Sequence, residues 1–432
     1  MTKKTDKKKP AKDADNKKAP KHDQTTAYSF KKMEEYLESW YSFRYNEVTN
    51  EIEYRHKSKD EWKNFDEMEL NGLYVEYRKD NIKFSKNDLA ALIFNPSIQR
   101  FNPFQDYFDN LPKWDGKDYI REMAGHVQVM EKSENSKAEQ ERFYVQFKKM
   151  LIRTLACAIR DNYFNKHIFI LYGAKQNQYK SSFIRYLVPT ALKKYYSENF
   201  NSDKDKDSAI SLCENFMINI DELASLAKYD LNKLKATLSR LHEKLRLPFA
   251  KRATLMPRRV SFWGTTNEET FLTDVTGNVR WICFHVLKIS DSYNKVDIDQ
   301  LWSQVLSLYQ DETEMNITLD EIKENEEANA RHQVMTAEME LIQKYFSPGS
   351  QEKNSAFYTS TDIVDHLSKL VSVSIRLNSV AMGRAMTYMG FIREQKLSEG
   401  KKYPEKGYYV DCSCKNCEIE KQNQLSMINA LN

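Results

Sequence analysis

The sequence lacks any apolar run approaching the roughly 18–20 residues that a membrane-spanning helix needs. No apolar segment follows the first lysines, which argues against a secretory signal. Cysteine is scarce: six in 432 residues, three of them scattered at Cys157, Cys213 and Cys283. That usage points to a reducing cytoplasm rather than a disulfide framework. There is no internal repeat. Most of the chain also lacks excess charge. Residues 1–22 hold nine lysines and three aspartates, or +6, whereas the whole chain carries +4, so the remainder sums to −2. Bulk charge therefore does not argue for a nucleic-acid partner, and any such argument must come from local patches.

What is present is a globular composition, 41% hydrophobic and 30% charged, long enough for two or three domains. The lysine-rich residues 1–27 read as a disordered tail, suited either to solubility or to nonspecific attraction to DNA phosphates. Residues 28–135 read as an aromatic-rich α+β domain, and 136–310 as an α/β domain alternating strand and helix. In the latter a helix over 141–161 precedes strands at Ile168–Leu171, Phe216–Ile220, Val260–Trp263 and Trp281–Val286, with a helical stretch at Leu231–Lys244. Residues 311–349 predict a charged helical connector, 350–410 a small separate domain and 411–432 a polar tail.

The chemistry concentrates in four places. After the apolar run His167-Ile-Phe-Ile-Leu-Tyr172 comes a polar loop, Gly173 to Ser182, ending in Lys180-Ser181-Ser182. Strand, loop and helix in that order are the parts of a P-loop NTPase. The pattern G-x-x-x-x-G-K-[ST] would put glycines where Ala174 and Tyr179 stand, and Gly173 lies one residue early. Backbone N–H groups must approach phosphates closely there, often at positive φ, so a tyrosine at the second position carries a cost of about 1–2 kcal/mol. Forty-one residues after Lys180, Phe216-Met-Ile-Asn-Ile-Asp-Glu222 ends a strand in two carboxylates, suited to holding Mg²⁺ through Asp221 and orienting water through Glu222. A further strand ends at Asn267, placed to meet a γ-phosphate or an attacking water. Arg280 follows a glycine turn and precedes an aromatic strand, and its guanidinium suits phosphate oxygens.

Two other regions hold clustered basic residues. Arg246-Leu-Pro-Phe-Ala-Lys-Arg252, followed by Pro257-Arg-Arg259, predicts a loop that grips DNA phosphates or pairs with acids of a neighbouring subunit, with Lys251 and Arg252 the leading DNA candidates. Beyond residue 350, a helix at Ile363–Leu370, a second at Asn378–Met389 with Met382, Ala385, Met386 and Met389 on one face, and strands at Phe391-Ile-Arg393 and Gly407–Val410 are the parts of a winged helix. Arg376, Arg384, Arg393, Lys396, Lys401 and Lys402 are its candidate DNA contacts, and protein interaction is the other use of such a domain. Cys412, Cys414 and Cys417 have no fourth ligand nearby, so tail thiols are preferred to a zinc site.

The ordered set resembles the virulence-associated protein E family of bacterial mobile elements and phages, close to superfamily 3 helicases. The resemblance runs from about Phe43 to Val410. It rests on Asn102-Pro-Phe, Leu111-Pro-Lys-Trp-Asp-Gly116, Lys175-Gln-Asn177, Lys180-Ser-Ser182 and Ile220-Asp-Glu-Leu223. It continues through Arg246-Leu-Pro-Phe249, Pro257-Arg258, Gly264-Thr-Thr-Asn267, Phe271-Leu-Thr-Asp274 and Thr276-Gly-Asn278 to Arg280-Trp281. It implies a central AAA+/RecA-like domain between the N-terminal α+β and C-terminal winged-helix-like domains. It further implies an ATP- and Mg²⁺-dependent DNA helicase or replication protein, acting as a ring (a hexamer by resemblance) on single-stranded or forked DNA, with a possible replication-protein partner. Gly173, Lys175, Gln176, Asn177, Lys180, Ser181 and Ser182 would then hold nucleotide, and Ser181 and Asp221 the metal. Glu222, Asn267 and Arg280 would catalyse, Arg280 across a subunit boundary. The alternatives are a pseudo-ATPase scaffold on DNA and a partner-binding protein. No primase metal cluster is visible, so primer synthesis is not assigned.

Overall fold

The computed structural model describes residues 24–130, 137–174, 178–198, 200, 205–223, 228–246, 252–272, 278–310, 312–351, 355–371, 376–397 and 402–413. The chain divides into two compact units, Met1–Pro103 and Phe104–Asn432. The first boundary thus falls earlier than the 135/136 expected from sequence.

In the first unit, α1 (Gln24–Trp40) leads into the antiparallel pair β1 (Tyr41–Asn46) and β2 (Glu51–His56). β3 (Lys63–Asn64), α2 (Glu67–Lys79), α3 (Lys86–Ile93) and β4 (Arg100–Phe101) come next, and the sheet order is β3-β2-β1-β4. Asp66 and Ser85 cap α2 and α3 by accepting from Glu69 N and Asp88 N. Met33, Leu37, Ile52, Leu70, Leu73 and Leu89 form the core.

The second unit opens with α4 (Pro103–Asp109), α5 (Tyr119–Gly125) and β5 (Val127–Val129). These elements join the second unit because their partners lie deep within it. Ile120 N donates to Gln304 Oε1 at 2.9 Å, Gln304 Nε2 donates to Asp118 at 2.8 Å, and β5 pairs antiparallel with residues 286–289. Next come α6 (Ala138–Ile159), β6 (Ile168–Tyr172), α7 (Lys180–Tyr186), β7 (Tyr196–Ser197), α8 (Asp205–Glu214), β8 (Met217–Ile220) and α9 (Lys228–Leu238). After them lie β9 (His242–Leu245), β10 (Thr254–Pro257), β11 (Ser261–Thr266), β12 (Trp281–Ile289), α10 (Ile298–Tyr309) and α11 (Leu319–Ala330).

The main sheet has the order β5-β12-β6-β11-β8-β7, parallel throughout except at β5. Its central strands read Ile-Phe-Ile-Leu-Tyr and Met-Ile-Asn-Ile because both faces are covered, so neither face needs polar residues. The pleat sends Phe169 against Phe143 and Phe147 of α6, and Ile168 and Ile170 into the opposite layer with Ile218, Phe262 and Leu238. The helix expected over 231–244 ends at Leu238. The residues after it form β9, which pairs with β10 as a separate antiparallel hairpin.

The expected single connector helix is two helices. α11 docks on the sheet, where Asn329 Nδ2 donates to the Trp281 carbonyl at 2.8 Å and Asn325 accepts from Arg142 at 2.6 Å. The helix α12 (Ala337–Tyr345), capped by Thr336, belongs instead to the C-terminal core through Met339 and Ile342. That core is completed by β13 (Phe346–Pro348), β14 (Ala356–Thr359), α13 (Ser360–Ser368), α14 (Ser379–Tyr388), β15 (Arg393–Lys396) and β16 (Glu405–Cys412). β16 pairs antiparallel with the other three strands. Met382, Ala385 and Met386 are buried, as their spacing predicts, and Gly390 comes after α14 at φ 87°. Cys412 is a buried β16 residue facing His366 rather than a tail thiol; Cys414 and Cys417 lie outside the described residues. The architecture is mixed α/β with several sheets. Among the described residues no helix is long and apolar enough to cross a membrane.

Candidate functional site

β6, β11 and β8 lie side by side and end together, and the chain turns outward at Gly173, Asn267 and Asp221. Carboxyl ends of parallel strands are where open α/β sheets bind ligands. Here they enclose a cavity of about 300 Å³ lined by Gln178, Tyr179, Lys180, Ser181, Ser182, Asp221, Glu222, Thr265, Thr266 and Asn267.

Lys180 opens α7 and is buried, with its Nζ donating to the Gly173 carbonyl at 2.9 Å and to Asn267 Oδ1 at 2.8 Å. Burial lowers the pKa of this amine, while Asp221 nearby opposes the shift. Ser181 Oγ donates to Asp221 Oδ1 at 2.9 Å and lies 3.4 Å from Thr265 Oγ1. Thr265 Oγ1 donates to the same Asp221 oxygen. The carboxylate and two hydroxyls form a cluster of hard oxygen donors, the set a Mg²⁺ ion prefers. Glu222 also lines the cavity and holds φ 52°, a left-handed conformation unusual for a side chain with Cβ.

Tyr179 adopts φ 59° and ψ 15°, the conformation expected of the glycine it replaces. Tyr179 is 51% exposed and lines the cavity, which stays open beside it. Gly173 meets a different demand: a Cβ there would lie 2.5 Å from Gln178 Oε1 and 2.6 Å from the Val286 carbonyl. Gln178 Nε2 reaches across to donate to the Leu287 carbonyl at 2.9 Å, at a bulge where the β12–β5 register shifts between Val286 and Lys288. Ser182 lines this cavity and also a neighbouring one of about 820 Å³ beside Tyr186 and Tyr293.

Arg280 is not in the cavity. It precedes Trp281, whose register partner is Ile168 at the amino end of β6, so it occupies the opposite end of the sheet from Lys180. There its Nη2 donates to Ser239 Oγ at 3.1 Å, and its buried Nε has no partner among the described residues. Arg258 and Arg259, read from sequence as loop cations for DNA, are buried. Arg258 donates to the carbonyls of Leu238 (2.7 Å) and Asn165 (2.6 Å), and Arg259 to the Ala158 carbonyl (2.8 Å) and Asp161 (2.9 Å). Both guanidiniums tie the sheet to neighbouring backbone, Arg258 fully buried and Arg259 nearly so.

Arg252 is exposed just before β10, Arg384 is exposed on α14, and Lys402 is exposed with its ammonium 5.8 Å from the Tyr403 ring. Lys175, Gln176, Asn177, Lys251 and Lys401 lie outside the described residues. Thr265 and Gln178 are the site residues that sequence reasoning passed over. Thr265 ends the strand next to Asp221, and a strand-end hydroxyl beside an acid is the one signal that would have found it.

A model of the virulence-associated protein E-like domain matches residues 108–335. Comparison with curated proteins gives no match. Among solved structures, the apo NrS-1 C-terminal region (305–718) aligns with a TM-score of 0.51 at 10% identity, covering 90% of this chain and all of that one. The A form of the same region gives 0.47 at 10% identity over 88% of this chain and 98% of that one. At such identity the first likeness is one of fold.

Proposed function

The chain belongs to the virulence-associated protein E-like family, and on that premise we propose that it is an ATP-dependent DNA helicase or replication protein of a phage or bacterial mobile element, assembled as a ring. The observation that carries this reading is the meeting of Lys180, Asn267, Ser181, Thr265 and Asp221 at the carboxyl ends of three adjacent parallel strands. The position of β11 between the loop-bearing β6 and the acid-bearing β8 supports a P-loop NTPase fold.

In this reading Lys180 leaves the Gly173 carbonyl and Asn267 to take the β- and γ-phosphates of ATP. Asn267, released from Lys180, is free to hydrogen-bond the γ-phosphate. Ser181 and Asp221 would hold Mg²⁺, which neutralises phosphate charge when bound. Glu222, beyond Asp221 at the strand end, orients the attacking water. Arg280, at the far end of the sheet, serves a neighbour's site, which makes hydrolysis depend on assembly. The half-exposed Tyr179 favours a working motor over a pseudo-ATPase scaffold, because its ring leaves the cavity open. The β9–β10 hairpin, with Arg252 beside its turn, would meet DNA. The C-terminal order of helix, strands, two helices and an antiparallel pair supports a winged-helix reading.

DNA-stimulated ATP hydrolysis measured beside Lys180→Ala tests the proposal. Turnover that disappears in the variant is the expected result. No turnover in either protein, with assembly unaffected by the substitution, would leave the scaffold as the better description.

A further inference from the structure

The C-terminal part carries a groove of about 580 Å³ between the first turn of α13, the length of α14 and the β15–β16 pair. We infer that this groove binds the phosphodiester backbone of duplex DNA, at a site separate from the nucleotide cavity. Three cations line it: Arg384, Arg393 and Lys406. None of the three has an ion-pair partner among the described residues, and no carboxylate belongs to the lining. The nearest acid in sequence to the α13 turn, Asp362, is engaged in its own capping box with the Thr359 N–H at 2.8 Å and the Thr359 hydroxyl at 2.7 Å.

Strand register sorts the basic residues that sequence alone leaves together. Arg393 pairs with Tyr408 and Gln395 with Lys406, so Arg393 and Lys406 share one face of the hairpin. Lys396 lies on the other face, its ammonium 5.7 and 5.6 Å from the Phe357 and Tyr409 rings. Lys406, which the sequence pattern does not single out, joins the cluster in place of Lys396.

The groove floor is built to be fixed. Gly383 lets α14 pass close to α13, since a Cβ there would stand 2.8 Å from Ser360 Oγ. Tyr408 Oη donates to the Gly383 carbonyl at 2.8 Å and lies 3.2 Å from Thr387 Oγ1. Hydroxyls of Ser360, Thr361 and Ser379 stand at the two helix starts, whose caps Thr359 and Asn378 already hold the N–H groups of Asp362, Val380 and Ala381. Cations and hydroxyls around a rigid floor are the equipment of phosphate contact. Tyr388 is the only exposed aromatic ring in the lining, too few for the stacking platform that single strands use.

The inference rests on the replication reading only for the identity of the polymer. Full-length protein carrying Arg384→Gln, Arg393→Gln and Lys406→Gln would be titrated with a labelled duplex and with a single strand of equal length across a salt series. Fluorescent ATP analogue binding is measured in parallel. The expected result is at least a tenfold loss of duplex affinity and a salt slope shallower by roughly 2.7, about 0.9 for each of three lost phosphate contacts, with analogue binding unchanged. Unchanged duplex affinity and slope would overturn the assignment, as would a loss confined to the single strand. Failure of analogue binding in the unsubstituted chain would strike at the ATPase reading alone. Should the triple variant misfold, Lys406→Gln against Lys406→Arg gives the same test on an exposed strand residue: the slope falls by about 0.9 in the first and holds in the second.

Discussion

Arg280 and Lys180 stand at opposite ends of one parallel sheet, Arg280 leading into the strand that pairs with β6 and Lys180 closing the loop that leaves it. A strand of five residues spans about 17 Å, so one subunit cannot bring both to the same phosphate. Arg280→Ala is therefore expected to leave fluorescent nucleotide affinity within about twofold of the unsubstituted protein while hydrolysis falls by 10³-fold or more, on the order of an arginine finger's contribution. Mixing Arg280→Ala with Lys180→Ala subunits should restore part of the turnover, because some interfaces then combine an intact Lys180 with an intact Arg280. Absence of any recovery in a co-assembled mixture would count against composite sites.

Tyr179→Gly removes a left-handed non-glycine and so relieves about 1–2 kcal/mol of strain, offset by about 0.5–1 kcal/mol of extra chain entropy in the unfolded state. The variant should be equally or slightly more stable in urea, with nucleotide affinity retained. A clear loss of affinity would show that the ring itself takes part in binding.

Thr265→Val takes away the hydroxyl that donates to Asp221 without changing side-chain size much. Mg²⁺-dependent nucleotide binding should weaken by about 1 kcal/mol, several-fold in affinity. Asp221→Asn should abolish the Mg²⁺ dependence, read by repeating the titration with and without a chelator.

His167 gives an acid-side signature. Burial first, and then the positive charges of Arg153, Lys166 and Arg280, push its pKa down to about 2, so it stays neutral in the fold. Below its ordinary value near 6.5 the unfolded chain takes up a proton that the native state refuses. The stability this neutral ring contributes is therefore present above pH 6.5 and lost as pH falls, by up to about 1.4 kcal/mol per pH unit. Urea midpoints of His167→Gln and the unsubstituted protein should converge between pH 7 and pH 5. Parallel midpoints would mean that the native ring titrates at its ordinary value, with no shift.

Much of the lining of the candidate cavity is legible in the sequence. Lys180, Asp221 and Asn267 each come after an apolar run, and runs buried on both faces are unmistakable in sequence. Their common strand end is then a result of parallel pairing. Arg258 and Arg259 mislead because a guanidinium saturating helix carbonyls has the same local pattern as one awaiting phosphate; only tertiary burial separates them. The break between α11 and α12 is hidden because no proline or glycine stands in residues 331–336, and the Thr336 cap that marks it is a single hydroxyl. Gln178 is unreadable for a stronger reason: its partner, the Leu287 carbonyl, is 109 residues away.

That last contact bears on the missing glycines. A bulge on β12 sets Leu287 out of step with β5, and the amide of Gln178 fastens to its carbonyl. The turn after β6 is thus cleated to the adjacent strand, with Gly173 giving the close clearance and Gln178 the tie. Its two flanks, Gly173 and Gln178, are held from outside by a neighbour, where glycine-rich turns rely on freedom within. Restoring glycines at Ala174 and Tyr179 while cutting the tie with Gln178→Ala would therefore yield a slacker turn than the one that now stands there without them.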